Sequence, residues 1–129
     1  MKYLKPIRLL LLLCLFAVVA KSQEIVEKVP DTVKKIILTT YYAKKFEGRR
    51  TTSGERYRSG KFTAAHRTLP FGTIIKVKNL RTGKTVEVKV NDRGPFSKKF
   101  SLDISRAAAQ ALGIYKLGYA RVEIAYVLR

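Results

Sequence analysis

The chain has 129 residues, and its 27 basic residues against nine acidic ones give a formal net charge of +18. This length allows one domain of ordinary size, and a hydrophobic content of 47% is typical of a globular protein. With one Cys and one His, the chain cannot supply a disulfide framework or a zinc site built from these residues. We therefore expect no metal and no cofactor.

The N-terminus has the pattern of a secretory signal peptide. Three basic residues fall within the first eight, and an unbroken apolar run of 12 residues extends from Leu9 to Ala20. A membrane-spanning helix needs about 20 apolar residues, so this run fits the central region of a signal instead. Cleavage is predicted after Ser22, with Ala20 as the second choice, so that residues 1–22 are removed.

Cys14 raises the question of a lipid anchor. A lipobox has a small residue directly before the Cys, whereas here Leu13 stands there and Cys14 lies in the middle of the apolar run. We expect export to the periplasm or cell envelope without a lipid anchor and without stable insertion in the membrane. An uncleaved N-terminal anchor is the alternative.

The exported part divides into a short tether, 23–34, and one barrel domain, 35–129. Lys35–Tyr42 is rich in β-branched and aromatic residues and is the first predicted strand. The polar segment Gly48–Gly60 is predicted to be a long loop. A turn is predicted at Leu69–Gly72, with Pro at its second position and Gly at its fourth.

The second half of the chain alternates between apolar and polar residues. Thr73–Lys78 and Thr85–Asn91 are predicted to form a hairpin with their valines facing inward. Ser105–Leu112 is the one predicted helix, capped by Ser105 and ended by Gly113. Tyr119–Leu128 is the last predicted strand. Short strands with one helix favour a small, mainly β barrel.

The positive charge indicates either a solvated cationic surface or a polyanionic partner. Nucleic acid would be the default partner inside a cell, but the export signal argues against it. Outside the cytoplasm the available polyanions are cell-wall glycan with its carboxylates, teichoic acid, lipopolysaccharide and anionic lipid headgroups.

Four motifs follow one another in the barrel region. They are Gly54–Tyr57 (GERY), Thr63–Thr73 (TAAHRTLPFGT), Asn91–Phe96 (NDRGPF) and Leu102–Ser105 (LDIS). In this order and spacing they resemble the rare lipoprotein A (RlpA) family over about residues 38–127. The resemblance implies a six-stranded double-psi β-barrel with one or two short helices, an outline shared with expansins.

The same resemblance implies a lytic transglycosylase that cuts peptidoglycan glycan strands between N-acetylmuramic acid and N-acetylglucosamine. The muramic 6-hydroxyl attacks its own anomeric carbon and leaves a 1,6-anhydro end. This chemistry needs an acid for the leaving oxygen and a base for the 6-hydroxyl proton, and one carboxyl can serve both roles in turn. A monomer without bound nucleic acid is expected.

The family's functional positions fall on Glu55, His66 and Asp92, and a looser analogy with expansins and other double-psi barrel enzymes adds Asp103. From the residues alone, Asp92 ends an inward-alternating strand and would be held ionised by its neighbour Arg93. Each position also has a structural interpretation. Glu55 can pair with a loop arginine, His66 can be a hydrogen-bonding core or groove residue, Asp92 can fix a turn, and Asp103 can cap the helix.

Tyr41, Tyr42, Tyr57 and Arg93 are the expected substrate contacts. Where the family usually has Trp-Tyr-Gly, this chain has Tyr41-Tyr42-Ala43, and the tyrosines can still stack on sugar rings. Two other functions remain open at this point. The first is a non-catalytic, expansin-like module that binds or loosens cell-wall glycan. The second is a structural envelope protein that is tethered by its charge.

Overall fold

A computed structural model describes residues 30–128, in which six strands close into a barrel. The strands are β1 (Thr32–Tyr41), β2 (Thr63–Ala65), β3 (Ile74–Asn79), β4 (Thr85–Asp92), β5 (Leu102–Ile104) and β6 (Ala120–Val127). Around the barrel their order is β1-β5-β2-β4-β3-β6. The pairs β1–β5 and β2–β4 are parallel, and the other four are antiparallel. The predicted six-stranded, mainly β barrel is confirmed.

The barrel interior is filled by the aliphatic side chains that alternate along the strands. On β3, Ile75 and Val77 are buried, and on β4 Val86, Val88 and Val90 are buried. The intervening polar residues face outward because successive side chains of a strand lie on opposite faces. The predicted hairpin between these two strands is confirmed by their antiparallel register.

Helix α1 (Arg106–Leu112) follows β5 directly and is capped as predicted. The Ser105 hydroxyl accepts a hydrogen bond from the Ala108 backbone N–H at 3.3 Å, which satisfies one free donor of the first turn. Gly113 ends the helix with φ +79°, a left-handed conformation that favours glycine. A short 3-10 helix, Lys44–Phe46, was not located from the sequence.

Two strands were not predicted, and several element boundaries differ from the predictions by one to three residues. Strands β2 and β5 have three residues each, too few for alternation to show in the sequence. Strand β1 begins at Thr32, so the last three residues of the expected tether belong to the sheet. The predicted turn is shifted by one residue, because the Thr73 N–H donates to the Pro70 carbonyl. Gly72 is thereby the third turn residue, at φ +88°.

The predicted signal peptide 1–22, Cys14 and most of the tether lie outside the described residues. Between residues 30 and 128, no helix has the length and apolar character needed to cross a membrane. The same range holds no group of three or more His, Cys, Asp or Glu side chains placed to bind a metal ion.

Candidate active site

Asp92 and Asp103 lie on either side of Ala65. Ala65 of β2 is paired with Asp92 of β4 on one side and with Asp103 of β5 on the other. Neighbouring strands are about 4.8 Å apart, which places the two aspartate Cα atoms about 9–10 Å apart. Paired residues on adjacent strands direct their side chains to one face, so both carboxyl groups flank the small Ala65 methyl.

A register shift gives Asp92 this position. Ala64 pairs with Val90, but Ala65 pairs with Asp92, so Asn91 is passed over. Ala64 and Val90 belong to the apolar core, and strict alternation would place Asp92 on that same inner face. The extra residue, as in a β-bulge, redirects the Asp92 side chain away from the core. The inward alternation expected from the sequence therefore ends at Val90, and the Asp92 side chain faces outward.

Asp92 accepts four hydrogen bonds. The Tyr42 hydroxyl donates to Oδ2 at 2.6 Å, and the Thr52 N–H, the Thr52 hydroxyl and the Arg93 N–H each donate to Oδ1 at 2.9 Å. Burial by itself raises the pKa of this carboxyl, but these hydrogen bonds outweigh burial and hold the pKa of Asp92 below its usual value. Asp92 is therefore ionised at neutral pH.

Asp103 is in the opposite electrostatic situation. Burial, and after it the negative charge of Asp92, raises the pKa of Asp103 to about 6. Its Oδ1 atom is buried and has no hydrogen-bond partner within residues 30–128. The helix-capping interpretation of this residue is wrong, because Ser105 caps α1. Asp103 therefore holds its proton to a much higher pH than an ordinary Asp.

We expect Asp103→Asn to stabilise the fold at neutral pH. The folded-state pKa of Asp103, about 6, lies above the ordinary value of 3.8. The wild type therefore loses stability as pH rises from about 4 to about 6, where only the unfolded state ionises freely. An amide resembles the protonated acid and avoids this loss, which amounts to about 3 kcal/mol above pH 7.

Thermal unfolding of Asp103→Asn and the wild type between pH 4 and pH 8 measures this effect. The difference in unfolding free energy should grow as pH rises from 4 to 6 and stay constant above that range. Glu123→Gln, which removes a carboxylate from the half-buried polar face of β6, is the matched control for the loss of one acidic side chain. A constant difference at every pH would contradict the raised pKa of Asp103.

Tyr42 connects the aspartates to an aromatic pocket. Its ring stacks on Tyr57 with 4.3 Å between centroids. Burial, followed by the hydrogen bond to Asp92, raises the pKa of the Tyr42 hydroxyl, which keeps it a donor. The pocket measures about 260 Å³ and is lined by Tyr41, Tyr42, Ala43, Lys44, Glu47, Tyr57, Ser59, Arg106 and Tyr115.

Three of the predicted substrate contacts also have structural partners. The Tyr41 hydroxyl donates to the Tyr115 carbonyl at 2.7 Å. The Tyr57 hydroxyl accepts from the Arg106 backbone N–H at 3.2 Å. Arg93 donates through Nη1 to the carbonyls of two residues, His66 at 3.2 Å and Leu69 at 2.8 Å. Arg93 helps to hold Asp92 ionised through its backbone N–H, which donates to the carboxylate and lowers its pKa.

His66 supports the turn beside the carboxylates. Its backbone N–H donates to the Asp92 carbonyl at 3.1 Å. Its Nδ1 accepts from the N–H groups of Thr68 and Leu69 at 3.2 and 3.1 Å. Burial, and after it the charge of Arg93, lowers the pKa of His66, so the ring is neutral at pH 7. With Nδ1 an acceptor, Nε2 carries the proton.

Glu55 is exposed, and its carboxylate is bound to the side chain of Asn91, the residue directly before Asp92. The Glu55 carboxylate accepts from Lys89 Nζ at 3.1 Å and from Asn91 Nδ2 at 3.3 Å. The hydrogen bond from Asn91 and then that from Lys89 lower the pKa of Glu55. Its predicted pairing with a neighbouring arginine is absent among the described ion pairs, where Lys89 takes that place.

Thr52 is a site residue that sequence reasoning missed. It donates two hydrogen bonds to Asp92, although 40 residues separate them in the chain. The neighbouring Ser53 N–H donates to the Asn91 carbonyl at 3.2 Å, so the loop Gly48–Gly60 lies over the end of β4. Its place two residues before the GERY motif is the only sequence signal that could have pointed to Thr52.

The arrangement defines a double-psi β-barrel with a pair of carboxyl groups of unlike pKa on its outer wall. A match to the lytic transglycolase family covers residues 35–124, and the chain belongs to that family. Curated relatives include the probable endolytic peptidoglycan transglycosylase RlpA of Synechocystis sp., 48% identical over 95 residues. The RlpA protein of Treponema pallidum is 52% identical over 85 residues. The resemblance to the RlpA family is thereby confirmed.

The alignments cover most of this chain but a minor part of each relative. They take in 72% of this chain and 30% of the Synechocystis protein, and 66% of this chain and 27% of the Treponema protein. Among solved structures, Streptomyces papain inhibitor matches with a TM-score of 0.60 at 22% identity, over 74% of this chain and 96% of its own. An expansin from Clavibacter michiganensis matches with a TM-score of 0.60 at 21% identity, over 74% and 51%.

Proposed function

We propose that this chain is a lytic transglycosylase that cleaves peptidoglycan glycan strands between N-acetylmuramic acid and N-acetylglucosamine. The observation that carries the proposal is the carboxyl pair, in which Asp103 retains a proton up to a pH of about 6 and Asp92 does not. In many enzymes two carboxyl groups of one site have different pKa values, so that one acts as the general acid and the other stays ionised and stabilises charge. The names of the relatives, endolytic peptidoglycan transglycosylases, support the same substrate.

Asp103 acts first as the general acid. It gives its proton to the glycosidic oxygen of N-acetylglucosamine as the bond from that oxygen to the muramic C1 breaks. A carboxyl whose pKa lies near the working pH is effective in such transfers. Among the described residues no donor reaches its Oδ1 atom, so no hydrogen bond there holds Asp103 in the ionised form.

The same carboxyl then acts as the base. After donation Asp103 is a carboxylate, and the muramic 6-hydroxyl attacks C1 while its proton returns to Asp103. A C1–O6 bond replaces the broken C1–O bond, and no water is consumed. Asp92 is unsuited to this role, because four donors already occupy its oxygens and its pKa is lowered.

Asp92 serves as a fixed negative charge. The transition state of glycosidic cleavage carries positive charge near the anomeric carbon, and an ionised carboxylate held by preorganised donors stabilises such charge. Tyr42 and Thr52 hold the carboxylate in place. His66 and Glu55 act indirectly, His66 through the turn that follows β2 and Glu55 through Asn91.

The proposed function also includes the substrate contacts and the location of the protein. The pocket lined by Tyr41, Tyr42 and Tyr57 receives part of the glycan beside the carboxyl pair. The net charge of +18 favours association with anionic wall polymers. We propose that the protein acts as a monomer in the periplasm or cell envelope, after export by the N-terminal signal and without a lipid anchor or a nucleic-acid partner.

Digestion of peptidoglycan sacculi, with and without prior amidase treatment, tests this function. The expected products end in 1,6-anhydro-N-acetylmuramic acid and are lighter by one water than those of a hydrolase, which mass spectrometry distinguishes. Products with reducing ends would show that the protein is a hydrolase and not a lytic transglycosylase. Binding to both substrates without any product would identify a non-catalytic, expansin-like module instead.

A further inference from the structure

The side chain of Phe96 is held in solvent beside the carboxyl pair. It is 88% exposed, more than any other large apolar side chain of residues 30–128. It lies four residues after Asp92 in the loop that joins β4 to β5. Single exposed apolar residues are common, so exposure alone indicates nothing, and the surroundings of Phe96 decide its role.

The backbone on both sides of Phe96 is anchored by one side chain. Arg67 Nε donates to the Pro95 carbonyl at 2.8 Å, and Nη2 donates to the Phe100 carbonyl at 2.7 Å and to the Ser97 carbonyl. Arginine presents its donors in a rigid planar fork. These bonds fix the backbone immediately before and after Phe96, so the exposed ring is carried by an anchored segment of the loop.

Gly94 sets the position of the ring relative to the carboxyl groups. A Cβ placed on Gly94 would lie 3.7 Å from Phe96 Cε2 and 3.9 Å from Ala65 Cβ. The ring and the Ala65 methyl therefore border the same small space, and Ala65 is flanked by Asp92 and Asp103. Gly94 also has φ +130°, where a side chain would be strained.

We propose that Phe96 is a stacking platform for a pyranose ring of the glycan, in a subsite next to the carboxyl pair and separate from the pocket at Tyr42. An aromatic face offers a large apolar contact at little cost in side-chain entropy, since two torsions are fixed. The C–H face of a hexopyranose is its apolar complement. Phe96 carries no charge, so its contact belongs to the uncharged ring and not to acidic substituents. This subsite rests on the glycan substrate of the proposed function.

Binding to amidase-treated sacculi tests the platform, using Phe96→Ala, Phe96→Trp and the matched control Phe62→Ala. Phe62 is 45% exposed and directly precedes β2. Phe96→Ala should weaken binding about tenfold and raise KM more than it lowers kcat. Phe96→Trp should restore both, and Phe62→Ala should change neither. The weakening should persist at high salt, because ionic screening does not affect stacking.

Equal binding by Phe96→Ala and the wild type would overturn the platform, as would a failure of Phe96→Trp to restore binding. A matching loss in Phe62→Ala would do the same, because it would show a general effect of removing aromatic surface. Binding to sacculi and release of soluble products are measured separately. Loss of binding in Phe96→Ala alongside a wild type that releases no product would therefore support the platform and refute the transglycosylase.

Discussion

Asp103→Asn should lower turnover on peptide-stripped glycan by on the order of 10²–10⁴-fold, the usual cost of losing a general acid–base. The loss should be large because one carboxyl both donates the proton to the leaving oxygen and receives the proton of the 6-hydroxyl. Binding to sacculi should survive, since neutralising an acid in a protein of formal net charge +18 does not weaken its attraction to an anionic polymer.

Two comparisons make this result specific. Glu123→Gln removes a carboxylate from β6 and should retain wild-type turnover. The thermal stability of Asp103→Asn at pH 7, expected to exceed that of the wild type, separates loss of chemistry from loss of fold. If folded Asp103→Asn retained more than about a tenth of wild-type turnover, Asp103 would not be the general acid.

Asp92→Asn should lower turnover by about 10²-fold or more, as removal of a preorganised electrostatic stabiliser does, and should change the pH profile. In the wild type, kcat/KM should fall as pH rises through about 6, where Asp103 loses its proton. The charge of Asp92 is one cause of that raised pKa, after burial. Without this charge the pKa of Asp103 falls, and the alkaline limb of the profile moves to lower pH.

The pH profile of kcat/KM for both proteins measures this shift. In Asp92→Asn the amide oxygen that replaces a carboxylate oxygen can still accept from Thr52 and from the Arg93 N–H, so the local geometry should be kept. In Glu123→Gln the alkaline limb of the kcat/KM profile should lie at the same pH as in the wild type. An alkaline limb that stays in place or moves to higher pH in Asp92→Asn would contradict the coupling between the two carboxyl groups.

The sequence was most informative where the physical signal is local. Alternation of valines predicted β3 and β4, because burial of one strand face repeats every second residue. Ser105, the alanines after it and Gly113 predicted α1 with both of its ends, because caps act within one turn. Strands β2 and β5 have three residues each and lack such a signal, since their place depends on pairing across the barrel.

For the site too, the sequence identified candidate residues, while their arrangement depended on the tertiary structure. The resemblance to the RlpA family pointed to Glu55, His66 and Asp92, and a looser analogy with expansins added Asp103, but the sequence did not say which of the aspartates is the general acid. The structure places only the two aspartates on either side of Ala65. It leaves Glu55 exposed, with its carboxylate bound to Asn91, and places His66 in a turn, with Nδ1 bound to backbone N–H groups.

By itself, the sequence determined the barrel class, the cationic character and the family, since these depend on periodicity, composition and motif order. Only the tertiary structure decided which carboxyl has the raised pKa. A pKa depends on burial and on neighbours in space. The donors that keep Asp92 ionised come from Tyr42 and Thr52, at 50 and 40 residues' distance in the chain. The same folding buries Asp103 and leaves one of its oxygens without a partner.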